Sequence, residues 1–197
     1  MKNCRILKLI SALIVGLVVG ELLLVLVSWL LSALMVDGVH SLLSSEGVRW
    51  FAGSFSELLA TPLLVNLLLL AMSGGCLWRS GLLQRPQSLR DKTALKAVLI
   101  LMIVFVCVII LLTALPHAVL LSATGHLWPS PFSRALIPII TLSILLSAAL
   151  YGTMSGRFPF FATLLESLSF GIAKAAPFIL LYFVATVFYA SLCYVCL

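Results

Sequence analysis

Charge is what this sequence has least of: across 197 residues 9% are charged, with six acids, twelve bases and three histidines. A water-soluble domain of this length needs a charged surface. It also lacks the core volume to hide a chain that is 63% hydrophobic with a mean hydropathy of +1.26. An ordinary globular fold is excluded, and the composition points to an all-α polytopic membrane protein. The net charge of +6 does not indicate a nucleic-acid partner, because the bases lie in short segments between apolar runs.

Signals for catalysis and cofactors are equally scarce. No G-x-x-x-x-G-K-[ST] or G-x-G-x-x-G occurs. His117 and His126 have no carboxylate nearby, and no Ser/His/Asp or Cys/His constellation is visible. The reading is a protein that is not an enzyme, with no catalytic residue, metal ligand or cofactor expected. The five cysteines are an odd number; Cys4, Cys76 and Cys107 sit in or beside apolar runs and read as small packing residues. Cys193-x-x-Cys196 has redox or metal spacing but ends an apolar run, with no histidine or carboxylate after it.

What the chain does have is long apolar runs, and there are five: 9–36, 58–78, 97–115, 135–151 and 178–197. A hydrocarbon core of about 30 Å takes about 20 helical residues, so the expectation is five transmembrane helices in a single domain, 1–197. Between the last two, Phe160, Phe161, Leu164, Leu165 and Leu168 recur at helical spacing against Thr163, Glu166, Ser167 and Lys174. This predicts an interfacial amphipathic helix over 160–175, with Pro177 breaking the chain before the final span. The opening MKNCRILK imitates a signal peptide, but its apolar run is long and lacks a small-x-small cleavage site, so a retained span is expected.

Ten of the twelve Lys and Arg fall on one side of these spans, leaving Arg49 and Arg134 on the other. That bias predicts a multi-pass protein with its N-terminus in the cytoplasm and its C-terminus outside. SSEGVRWFAGSF, from Ser44, is then an external connector with Trp50 and Phe51 at headgroup level. The other external stretch, 115–134, carries Pro116, Gly125, Pro129 and Pro131 and is too interrupted for a continuous helix.

Glu21 is the one formal charge deep inside a span. A carboxylate there costs roughly 2.5–3.5 kcal/mol, so it should be neutralised, paired or turned toward a water-filled interior as a proton or cation site. Alternatively, tilt and register bring it toward an interface. Asn66, Ser73, Thr186 and Ser191 add polar groups on the second and last spans, and with Glu21 they are the transport or ion candidates. Gly16-x-x-x-Gly20 allows close approach of another helix. Gly74 and Gly75 either unwind the second span, as in transporters, or simply end it, and Pro62 sits in its first turn.

Three stretches carry a resemblance to a known family. SSEGVRWFAGSFSELLATPLLVNLLLLAMSGGCLWRSGLL, Ser44 to Leu83, is similar to the early segment of the AbgT (p-aminobenzoyl-glutamate transporter) family through Ser45, Gly47, Val48, Arg49 and Trp50, then Pro62-Leu63, Met72, Gly74 and Ser80-Gly81-Leu82-Leu83. LWPSPFSRALIPIITLSILLSAALYGTMSGRF resembles a second family element through Ser130-Pro131-Phe132, Ile137-Pro138-Ile139-Ile140 and Tyr151-Gly152. GIAKAAPFILLYFVATVFYASL resembles a third through Phe178-Ile179-Leu180, Phe183-Val184-Ala185 and Phe188-Tyr189-Ala190.

The resemblance implies a much shortened member, without the family's central segment and C-terminal hairpin. It also implies ion-coupled carriage of p-aminobenzoyl-glutamate or a related small aromatic amide or drug, by a chain that works as a homodimer or other oligomer. Its partners would be the lipid bilayer, that of a bacterial-type inner membrane, and that small-molecule substrate. The alternative is a transporter-derived membrane scaffold that binds partners without transporting.

Overall fold

A computed structural model describes residues 2–35, 38, 40–86, 88–114 and 131–196, with only the helical backbone described for 2–4, 112–114 and 131–134. Six helices account for nearly all of it: α1 (Lys2–Ala33), α2 (Ser45–Leu59), α3 (Pro62–Ser80), α4 (Leu89–Ala114), α5 (Pro131–Met154) and α6 (Phe161–Cys196). Five contain segments long and apolar enough to cross a membrane: Arg5–Ala33, Pro62–Ser80, Leu89–Leu111, Ala135–Met154 and Phe161–Cys196. The protein is an all-α, multi-pass membrane protein. Lipid leaves no alternative for these segments, since a helix alone satisfies its backbone groups internally.

Three local expectations are corrected. The interfacial helix over 160–175 is not separate: α6 runs without interruption from Phe161 to Cys196, with Pro177 inside it. One proline removes one backbone donor, and in an apolar setting breaking the helix would expose several more unpaired groups. At about 1.5 Å per residue α6 is about 54 Å long, well beyond a core of about 30 Å. The separate amphipathic helix lies elsewhere, as α2, in the stretch expected to be a connector. Gly74 and Gly75 neither unwind nor end α3, which continues to Ser80 and stops at Gly81, where φ is +70°. Pro131 starts α5, where its missing N–H costs nothing. Pro116, Gly125 and Pro129, with His117 and His126, lie outside the described residues.

The chain divides into two compact units, Met1–Val65 with Ala175–Leu197, and Asn66–Lys174. In the first, α1 meets the second half of α6: a methyl group on Gly20 would lie 3.2 Å from Cε2 of Phe188. Ser28 is fully buried; its hydroxyl donates to the Val25 carbonyl (2.9 Å) and accepts from the Leu42 amide (3.4 Å). The His40 amide donates to the Val195 carbonyl at 3.3 Å.

Helix α2 explains SSEGVRW in physical terms. Ser44 is the cap, accepting from the Gly47 amide at 3.0 Å. Gly47 is buried where any side chain would meet the Leu42 carbonyl oxygen at 2.7 Å. Trp50 stacks on Tyr194, with centroids 4.3 Å apart and planes 22° from parallel, and Phe55 meets Phe183 edge-on at 5.9 Å. The hydroxyls of Thr61 and Tyr182 share a hydrogen bond.

In the second unit α3 crosses α6 at Gly75 and Gly171. Cys76, Ala148 and Phe158 form one buried cluster there, and Ala94, Val98 and Tyr151 another. Met102 of α4 accepts from Ser143 and Ser147 of α5, both at 3.3 Å. Lipid tails are as apolar as leucine, so such close approaches and polar contacts hold helices together where the hydrophobic effect does not.

Candidate transport site

Helix α1 is apolar on every side, yet its buried and half-buried positions run along one stripe, Ile10, Ile14, Leu17, Glu21, Leu24, Ser28 and Leu31, with half-buried Gly20 and Val25 beside it. The alternation of three- and four-residue steps is that of a packing seam in a helix pair. Glu21 stands in the middle of that seam, two turns before the buried Ser28. Its Oε2 is buried without a hydrogen-bond partner.

The same unit holds a second such atom. Ser191 of α6 is fully buried, and its hydroxyl oxygen also has no partner. Among the described residues these two are the buried side-chain oxygens left in that condition. Ser191 lies three residues beyond Phe188, whose ring packs on Gly20, the neighbour of Glu21. An unmet buried polar atom costs about 1–3 kcal/mol, and here a carboxylate oxygen and a hydroxyl carry that cost within one unit. Each is an oxygen of the kind that a proton, a hard cation or a polar group of a substrate takes as a partner.

The remaining candidates are differently placed. Thr186 is half-buried and donates to the Tyr182 carbonyl one turn earlier at 2.9 Å. It is five residues from Ser191, about 140° around the helix, so the two face different directions. In the second unit Ser73 is buried and donates to the Leu70 carbonyl at 3.1 Å. Asn66 is half-buried, two turns earlier on the same face of α3. Of the four glycines, Gly20 and Gly75 lie against other helices, whereas a methyl group on Gly16 or Gly74 would meet nothing within 4 Å.

Arg157 carries a structural role that its place among the ten same-side bases does not announce. Its guanidinium closes the end of α3, Nη1 donating to the Ser80 carbonyl at 2.9 Å and Nη2 to the Gln84 side chain at 3.4 Å. The glycine stop at Gly81 was the available signal, since it leaves helix carbonyls in need of donors.

Compared with known proteins, this chain matches no curated protein and no solved structure. A family model described as the AbgT putative transporter family matches residues 79–195, more than half of the chain. That range takes in the elements around Tyr151-Gly152 and Phe183-Val184-Ala185, while SSEGVRW precedes it. The chain therefore belongs to the AbgT transporter family.

Proposed function

We propose that this chain is an ion-coupled carrier of p-aminobenzoyl-glutamate or a related small aromatic amide, in which Glu21 and Ser191 supply oxygens for the coupling ion or for a polar group of the substrate. The observation that carries this reading is the unpartnered Glu21 Oε2 within the packed stripe of α1, in the same unit as the unpartnered Ser191 hydroxyl. Intramembrane acids turned into a bundle mark ion and proton pathways. Family membership supports transport as the activity. The Lys and Arg bias supports a cytoplasmic N-terminus and an external C-terminus, and the family resemblance suits an inner membrane. The exposed faces of α1 suit a homodimer or larger assembly as well as lipid.

The experiment is uptake of radiolabelled p-aminobenzoyl-glutamate by proteoliposomes under an imposed proton or sodium gradient. Gradient-dependent accumulation is expected; flux no greater than in protein-free liposomes under either gradient overturns the reading. A second reading, a transporter-derived scaffold, is favoured by the tight Gly75–Gly171 crossing, which suits a bundle built to stay closed. The same assay separates the two.

A further inference from the structure

At one end of the second unit, the last turn of α3 and the first turns of α6 border an open groove of about 530 Å³, lined by residues that include Arg79, Leu165, Glu166, Ser169 and Phe170. Two cations meet aromatic rings at its edge. Lys174 Nζ lies 4.6 Å from the ring centroid of Trp78 and 5.7 Å from that of Phe170, and Arg79 Cζ lies 5.6 Å from the Phe170 centroid. Glu166 is the acid of the groove, 3.6 Å from Arg79, with both side chains well exposed. That pair is screened, and a guanidinium has five donors, so Arg79 keeps most of its capacity for an anion. Two bases against one acid leave the groove net positive.

The surroundings select the kind of anion. Trp78 is largely exposed at the end of the span Pro62–Ser80, where tryptophan belongs at a membrane surface. Leu165 and Phe170 are exposed on the two flanks of the α6 face that lines the groove, about 140° apart around the helix, so they form apolar walls on either side of it. Arg157, held at the same end of α3, adds to the positive field. A planar guanidinium and an ammonium over aromatic faces recognise phosphate oxygens, and apolar walls receive an acyl chain. We propose that this groove binds an anionic phospholipid, its phosphodiester between Arg79 and Lys174 and one acyl chain in the groove between Leu165 and Phe170.

Trp78 provides the readout, because brominated acyl chains quench tryptophan on contact. Full-length protein is reconstituted with brominated phosphatidylglycerol or brominated phosphatidylcholine at equal mole fraction, and Trp78→Phe isolates the signal of Trp78. Quenching about twofold stronger by the anionic lipid is expected. Arg79→Gln and Lys174→Gln each abolish that preference, whereas Lys174→Arg and Lys96→Gln keep it; both groove cations are exposed, so helicity should be unchanged. Equal quenching by the two lipids, or a preference that survives in both Gln variants, overturns the proposal. Loss of the preference with inorganic phosphate but not with sodium chloride at the same ionic strength also overturns it, since that would mark a site for free phosphate rather than for lipid.

Discussion

Gly75 and Gly171 meet backbone to backbone: a methyl group on Gly171 would fall 2.9 Å from the α-carbon of Gly75, and one on Gly75 would fall 2.6 Å from the Ser167 carbonyl oxygen. Backbone cannot swing aside as a long side chain does. Gly75→Ala should therefore cost about 1–3 kcal/mol by overpacking, read as a clear drop in the thermal unfolding midpoint of the purified protein in detergent. Gly74→Ala, one residue away and facing open space, should leave the midpoint nearly unchanged.

Helix α2 depends on two small features at its start. Ser44→Ala removes the cap to the Gly47 amide and should destabilise by about 1 kcal/mol. Gly47→Ala should cost more, because its methyl group meets the Leu42 carbonyl oxygen at 2.7 Å. In both variants hydrogen exchange across 45–59 should accelerate, with Gly47→Ala the faster.

Arg157 holds the turn after α3. Removing its guanidinium in Arg157→Met leaves the Ser80 carbonyl without that donor and the side chain of Gln84 without its partner. Amide exchange at Leu82, Leu83 and Gln84 should rise severalfold. Unchanged protection there would show that the turn stands on its own backbone bond from the Gln84 amide to the Gly81 carbonyl.

The five spans were legible because hydropathy over about 20 residues needs no knowledge of partners. What depends on partners was not. Gly74-Gly75 stood out in the sequence, but Gly171, which makes Gly75 matter, lies on another helix with no mark beside it. Arg157 bonds a carbonyl 77 residues away, and no local pattern announces that. Pro177 carried a real local preference for a break, and the demand of an apolar environment for a closed backbone overrode it. The site was half legible: Glu21 was conspicuous by its charge, yet the uniform apolarity of α1 hid which way it faces. The seven-residue step from Glu21 to Ser28 was the one available hint, and the buried stripe makes it plain.

The account stands or falls on Glu21. The most direct test is gradient-driven uptake of radiolabelled p-aminobenzoyl-glutamate by proteoliposomes carrying the native chain or Glu21→Gln, which keeps the shape of the side chain and removes its charge. The account predicts gradient-dependent accumulation by the native chain and its loss, about tenfold or more, in Glu21→Gln, with helicity and oligomeric state retained. Equal gradient-driven uptake by the two proteins would contradict it.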